Sequence, residues 1–221
     1  MCILCTKDIT ELINVKYIYV SCDQLIRIPN ELINLEVLWC KNCPNLKEIG
    51  NLKSLTRLYC LDCLNLTHIP ELVNLTHLSC DGSMIRNIPS SLKLTHLSCI
   101  NCPIAYIPRE LTNLQQLFCS YCQNITYIPK TLINLSYLDC FGCENISYIP
   151  SDLSNLKMLK CLGCKSLQLA PEHLLDEETN ELLNQRYCSY RKRKCELFSR
   201  DIFRDLIELT KNNRPEHLSL E

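Results

Sequence analysis

The sequence has little of what marks secreted, membrane or nucleic-acid-binding proteins. Its 221 residues carry 23 basic and 24 acidic side chains, so the chain has no basic field to attract nucleic acid or anionic lipid. No apolar run is long enough to cross a membrane, and residues 1–8 contain neither a basic segment nor a long apolar one. We therefore expect an intracellular, cytoplasmic protein with no nucleic-acid or membrane partner.

Catalytic motifs are also missing. The sequence contains no glycine-rich phosphate loop, no nucleophile elbow and no His-Glu-x-x-His pair. Only four glycines and two alanines occur, whereas hydrophobic residues make up 47% of the chain and predict a substantial core. We expect a folded protein that is not an enzyme and uses no cofactor.

Cysteine, in contrast, is abundant, with 18 residues. In a small secreted protein this density would indicate a disulfide framework. Because we expect no secretion signal, the cysteines predict a reducing compartment with free or metal-bound thiols.

Much of the cysteine belongs to an internal repeat. The pattern L-x-x-L-x-C-x-x-C begins at five positions, which are Leu35, Leu55, Leu114, Leu135 and Leu156. Variant copies begin at Leu75 and Leu94, and a degenerate copy begins at Val15. The eight units recur every 19 to 21 residues, and most are followed by an Ile-Pro step. Such a period predicts a solenoid in which neighbouring units bury a shared core.

The units resemble leucine-rich repeats, L-x-x-L-x-L-x-x-N/C-x-L, of a short kind. They are similar to the repeats of plant resistance receptors and to uncharacterised leucine-rich-repeat proteins of giant amoeba viruses. The resemblance implies an α/β solenoid of about eight repeats over residues 15–174. It would be an arc with a concave sheet of short parallel strands and a mostly extended convex side. The alternation Leu38-x-Cys40 agrees, because it turns both side chains to the inner face of a strand.

The two ends depart from the repeat. We expect residues 1–14 to form an N-terminal cap and residues 175–221 a helical C-terminal cap or tail, because apolar residues there recur at helical spacing. Caps cover the open ends of a solenoid. Residues 191–194 are all basic and have the composition of a nuclear import signal, although we interpret them as one solvated helix face.

The cysteine pairs allow three interpretations. Six C-x-x-C pairs fall in the repeats: Cys40/Cys43, Cys60/Cys63, Cys99/Cys102, Cys119/Cys122, Cys140/Cys143 and Cys161/Cys164. The first cysteine replaces an inward leucine, and the second stands where the repeat commonly places an asparagine that satisfies loop backbone groups. We therefore interpret the thiols as core residues, with zinc binding and redox activity as alternatives.

Register also identifies the concave face, which we define as the residues that project from the strands away from the core. It is rich in aromatic side chains, which are typical of protein-binding surfaces; the alternative is that they only stabilise the sheet. His77, His96 and Asp81 could also form a metal or acid–base group, an interpretation we do not favour. The predicted partner-binding residues are Tyr17, Tyr19, Trp39, Tyr59, His77, His96, Phe118, Tyr137 and Phe141.

The sequence thus predicts a monomeric, non-enzymatic module that binds a polypeptide on its concave face. One alternative is an adaptor whose C-terminal helices recruit a second component, such as a ubiquitin-ligase machine. The other is a structural protein that binds zinc through its C-x-x-C pairs.

Overall fold

The computed structural model describes residues 2–167 apart from residue 7, together with residues 170, 171 and 174. The chain divides into two compact units, Met1–Leu175 and Asp176–Glu221, and the second lies outside the described residues. The prediction of a helical C-terminal cap over residues 175–221 therefore also lies outside them.

The strands are β1 (Tyr17–Val20), β2 (Arg27–Ile28), β3 (Val37–Lys41), β4 (Glu48–Ile49), β5 (Arg57–Leu61), β6 (His77–Ser79), β7 (His96–Ser98), β8 (Gln116–Phe118), β9 (Tyr137–Asp139) and β10 (Met158–Lys160).

Eight of these strands form one parallel sheet in the order β1-β3-β5-β6-β7-β8-β9-β10. Every neighbouring pair is joined at the register that the repeat predicts, so that Leu38, Leu58 and Leu78 lie side by side. The small second sheet pairs β2 with β4 on the return path. Helical structure within the first unit's described residues amounts to two short N-terminal turns and 3₁₀ conformation at Leu174. The predicted solenoid, with a mostly extended convex side, is confirmed.

The core is a stack of equivalent side chains contributed by successive repeats. In one repeat Leu55, Leu58, Cys60, Cys63 and Leu66 are all fully buried. Each repeat on its own is too small to enclose these groups, so the stacking of repeats removes them from water. The core leucines therefore hold neighbouring repeats together as well as filling them.

A left-handed backbone residue follows every strand of the large sheet except β1, between the two cysteine positions of the repeat. It turns the chain from the sheet into the loop, and its φ lies between 53° and 81°. Glycine, asparagine and aspartate tolerate this conformation best. The seven positions are Asn42, Asp62, Gly82, Asn101, Tyr121, Gly142 and Gly163.

Asparagine amides form hydrogen bonds from each repeat to the one before it. The Nδ2 atoms of Asn74 and Asn134 donate to the carbonyls of Lys53 and Thr112 at 2.8 and 2.9 Å. A second set lies in the loop after the strand, where Asn65 donates to Pro44 at 2.6 Å. These bonds satisfy loop carbonyls that no sheet partner reaches, which explains the recurrence of asparagine before the repeat leucines.

The N-terminal residues differ from the repeats. Ile3–Thr6 form one helical turn, α1, and Ile9–Leu12 a 3₁₀ turn that begins where the Asp8 carboxylate accepts a hydrogen bond from the Thr10 amide at 3.0 Å. Leu12 is buried, and Ile3, Leu4 and Ile9 are partly buried against the core. Among the residues that the structure describes, no helix is long and apolar enough to span a membrane.

Candidate functional site

The concave face is built by two registered columns of side chains. The first runs from Tyr17 through Val37 and on to Met158, and the second from Tyr19 through Trp39 to Lys160. Strand pairing thus aligns the predicted residues in the expected order, except for Phe141, which lies in the turn after β9. Because neighbouring parallel strands lie about 4.8 Å apart, side chains in one column contact each other.

Three aromatic residues stack at the N-terminal end of this face. The Trp39 ring lies 4.7 Å from the Tyr59 ring in a stacked arrangement and 6.3 Å from the Tyr19 ring. Tyr19 is 53% exposed, but Trp39 is only 1% exposed, because its neighbours cover it. The sequence predicts Trp39 as a partner-binding residue, but burial leaves its ring almost no surface for a partner. Its ring lies within the packing of the face, and the tyrosines present the surface.

Two histidines stack at the centre of the face. The rings of His77 and His96 are 4.2 Å apart and nearly parallel, and the Nδ1 atom of each lies 2.8 Å from the hydroxyl of the preceding threonine. Burial lowers the pKa of His77 to about 4, helped by repulsion from Arg57 and, when it is protonated, from His96. Burial together with Arg57 also lowers the pKa of His96. Both rings are therefore neutral at pH 7.

Asp81 lies on the same face, but its carboxylate forms hydrogen bonds with the next repeat. Its Oδ1 accepts hydrogen bonds from the Ser98 hydroxyl at 2.7 Å and from the Ile100 amide at 2.8 Å. Burial raises the pKa of this carboxyl to about 6, although both hydrogen bonds oppose the shift. The carboxylate therefore ties the turn of one repeat to the next strand.

The histidines and Asp81 do not converge as a metal site. In the described part of the chain, three cysteines at the N-terminal end, Cys2, Cys5 and Cys22, form the one group of three or more ligand atoms within 4.8 Å of one another. The repeat pattern did not reveal this group, because Cys2 and Cys5 precede the first repeat. The signal that was overlooked is that Cys2-Ile3-Leu4-Cys5 is itself a C-x-x-C sequence.

A second aromatic cluster occupies the C-terminal end of the face. We call it the C-terminal patch and define it as Phe118, Tyr121, Tyr137 and Phe141. The Phe118 and Tyr137 rings lie 4.8 Å apart, and Tyr121 meets Phe141 edge-on at 5.2 Å. The Lys160 ammonium lies 5.4 Å from the centre of the Tyr137 ring. All four rings are partly exposed, so the patch offers apolar surface held in fixed geometry.

Tyr121 was not among the predicted site residues. It adopts φ of 62° at the left-handed position, where the other repeats have asparagine, aspartate or glycine. A bulky residue there costs about 1–2 kcal/mol. In the next repeat, Gly142 leaves room for the ring, since a side-chain carbon at 142 would lie 2.8 Å from Tyr121. An aromatic residue in a column of turn formers is the sequence signal that could have identified it.

The repeat cysteines form a hydrogen-bonded ladder. The second cysteine of a pair donates to the carbonyl of the first cysteine of the preceding repeat, as in Cys122 to Cys99 and Cys143 to Cys119, both at 2.9 Å. Ser83 occupies the same position in its repeat and donates to the Cys60 carbonyl at 2.8 Å. A hydroxyl in this position shows that the repeat uses a hydrogen-bond donor there rather than a metal ligand.

The chemistry of the ladder thiols agrees with this role. Burial raises the pKa of Cys60 well above its ordinary value. Hydrogen bonding with the adjacent thiol and burial do the same for Cys99 and Cys119. These thiols stay protonated at pH 7, whereas nucleophiles and metal ligands act as thiolates. Hydrogen bonding with Cys40 lowers the pKa of the Cys43 thiol to about 3, and hydrogen bonding with Cys140 lowers that of Cys164, so the pKa values alone do not decide the role of the pairs. The donation of the second thiols to backbone carbonyls, and the serine that replaces one of them, favour the interpretation of the pairs as core residues over zinc or redox chemistry.

Comparison with known proteins supports the fold. No family model matches the chain, and no curated protein matches its sequence. The chain is similar to the leucine-rich repeat domain of the type III effector XopL, with 24% identity and a TM-score of 0.65 over 75% of this chain and 67% of that one. It is also similar to the Arabidopsis receptor kinase HAESA, solved with the peptide hormone IDA and the co-receptor SERK1, with 24% identity and a TM-score of 0.46 over 68% of this chain. The match covers 30% of that receptor.

These findings define the class of protein. The repeat length, the parallel sheet and the likeness to the XopL domain show that the chain is a leucine-rich-repeat solenoid. Such folds serve many functions, so the fold identifies neither a partner nor a process.

Proposed function

We propose that the chain is a non-enzymatic interaction module that binds a polypeptide on its concave face, with the C-terminal patch at the centre of the contact. The observation that carries the proposal is Tyr121. A strained backbone persists when the surrounding structure imposes it, and such residues cluster at functional sites. Asparagine, aspartate or glycine at this position would form the same turn with less backbone strain.

The chemistry of the patch favours a polypeptide with an apolar anchor. Aromatic rings held by their neighbours lose little conformational entropy on binding and are enriched among the residues that contribute most to protein interfaces. Lys160, above Tyr137, places a positive charge at the rim and suits a partner with an acidic side chain beside its anchor. The two tyrosines at the other end, Tyr19 and Tyr59, extend the contact surface along the arc.

The geometry gives less support to catalysis. The histidines are neutral, stacked on each other, and held by threonine hydroxyls rather than by a carboxylate. Asp81 is committed to the next strand. These groups lack the base–orienter pairing that general-base catalysis needs.

Quantitative affinity purification tests the proposal. The bait is the full chain in its native host, beside a double variant with Phe118→Ser and Tyr121→Asn. The control carries Tyr106→Asn and Tyr127→Asn, which change tyrosines that are 48% and 51% exposed and lie outside the concave face. Circular dichroism and thermal melting confirm that all three proteins fold.

We expect a protein that co-purifies with the wild type and the control but is depleted at least about tenfold from the patch variant, and that binds the purified chain directly. Equal recovery on all three baits would contradict the proposal. So would a partner lost only from the control, which would place binding on the surface of Tyr106 and Tyr127.

A further inference from the structure

The N-terminal cysteines have a geometry that the repeat ladder does not share. The Sγ atoms of Cys2 and Cys5 lie 3.5 Å apart, those of Cys5 and Cys22 lie 3.8 Å apart, and all three lie within 4.8 Å of one another. In the ladder, by comparison, the second thiols donate to carbonyls of the preceding repeat. The Cys164 sulfur also lies 3.9 Å from that of Cys140, but among the described residues no third ligand atom joins this pair within 4.8 Å. The N-terminal thiols face each other.

We propose that Cys2, Cys5 and Cys22 bind one thiophilic divalent cation, Zn²⁺, which joins the N-terminal turn to the first repeat. With zinc–sulfur bonds of about 2.3 Å, two thiolates of a tetrahedral site lie about 3.8 Å apart. The two adjacent sulfur distances are close to this value. A disulfide would instead require about 2.05 Å.

The local backbone structure positions the three cysteines for metal binding. Cys2 directly precedes the α1 turn and Cys5 lies within it, three residues further on, so both thiols lie on one side of the turn. Cys22 follows β1, and its amide donates to the Cys43 sulfur at 3.4 Å, which fixes its backbone to the second repeat. The cation would therefore connect the N-terminal turn to the stacked core. Terminal segments are often poorly ordered unless a contact of this kind holds them.

The site has three protein ligands and one open side. Cys5 is exposed and Cys2 partly exposed, so water can take the fourth position. On binding, each thiol releases its proton to solvent, and three thiolates with Zn²⁺ carry a net charge of −1. This site is independent of the concave face and of the proposed partner.

The test uses the full chain, purified under reducing and oxygen-free conditions. Zinc is measured per chain, and Co²⁺ is then titrated into the metal-free protein, because thiolate-bound tetrahedral Co²⁺ has a distinctive visible spectrum. Cys5→Ser removes the exposed ligand with little risk to the core. Cys161→Ser is the control, since Cys161 is a partly exposed cysteine of a C-x-x-C pair in the last repeat.

We expect one metal ion per chain in the wild type and in Cys161→Ser, and an affinity at least about tenfold weaker in Cys5→Ser. Saturating zinc should raise the melting temperature of the wild type by roughly 5 to 10 °C and that of Cys5→Ser by much less. The absence of a thiolate–cobalt spectrum would overturn the proposal. An unchanged affinity in Cys5→Ser, or a disulfide among the three cysteines, would overturn it as well.

Discussion

The two sides of the strands differ in how much their residues vary from repeat to repeat. On the core side, the strand positions carry leucine and then cysteine from the second repeat onward, and all of them except Cys161 in the last repeat are buried. On the concave face, the equivalent positions of one column read Tyr19, Trp39, Tyr59, Ser79, Ser98, Phe118, Asp139 and Lys160. The core needs the same shape in every repeat in order to stack, whereas the face does not. Variation among the repeats therefore indicates where function can reside, but only together with exposure, because Ser79, Ser98 and Asp139 in this column are buried.

Trp39 is an exception to this division, and its substitution should cause the largest loss of stability. It is on the concave face but is as buried as a core leucine, so Trp39→Ala should lower the free energy of unfolding by about 3–5 kcal/mol. Chemical denaturation measures this change. The control, Tyr106→Ala at an exposed position, should cost no more than about 0.5 kcal/mol. If both variants cost the same, the Trp39 ring is not enclosed in solution.

Substitutions in the cysteine ladder test the core side of this comparison. Cys122→Ala removes one of the two donors to the Cys99 carbonyl, which keeps the Cys102 amide at 3.2 Å, and leaves a cavity at a fully buried position, so it should cost about 1–3 kcal/mol. Cys122→Ser keeps a donor, as Ser83 does in its repeat, and should cost about 1 kcal/mol or less. Denaturant midpoints distinguish the two variants. A serine variant as unstable as the alanine variant would show that the thiol contributes volume rather than a hydrogen bond.

The centre of the face should make stability depend on pH. The pKa of His77 is lowered from 6.5 to about 4 in the folded protein, so the unfolded chain binds more protons between these values. Stability is therefore lost as the pH falls from about 6.5 towards 4. Asp81 acts in the opposite direction, because its raised pKa of about 6 makes the folded chain bind more protons between about 4 and 6.

Two variants separate these contributions. His77→Gln should reduce the loss of stability on acidification by about 1 kcal/mol, a value discounted for partial solvent screening. Asp81→Asn should make the loss steeper over the same range. Thermal melts at intervals between pH 4 and pH 7 provide the measurement. Parallel curves for the wild type and His77→Gln would show that the histidines titrate normally.

Tyr121 should give the smallest effect on stability and a large one on binding. Tyr121→Asn restores the turn former found at Asn42 and Asn101, so relief of about 1 kcal/mol of backbone strain offsets the lost contact with Phe141. The free energy of unfolding should change by less than about 1 kcal/mol. A loss of more than about 2 kcal/mol would show that the ring serves the fold.

The repeat made the fold predictable, because period and register together specify which side chains stack. The identity of the concave-face columns followed from the same register, but their exposure did not. Trp39 is buried by Tyr19 and Tyr59, and the extent of that cover depends on ring packing across strands. The approach of Cys5 to Cys22 joins segments 17 residues apart, and no periodic pattern encodes that contact.

The central claim is that the C-terminal patch binds a polypeptide, and the dissociation constant of the captured partner tests it most directly. Isothermal titration would compare the wild type, the Phe118→Ser and Tyr121→Asn double variant, and the Tyr106→Asn and Tyr127→Asn control. The account predicts that affinity falls at least about tenfold in the patch variant and is unchanged in the control. Equal affinity in all three folded proteins would contradict it.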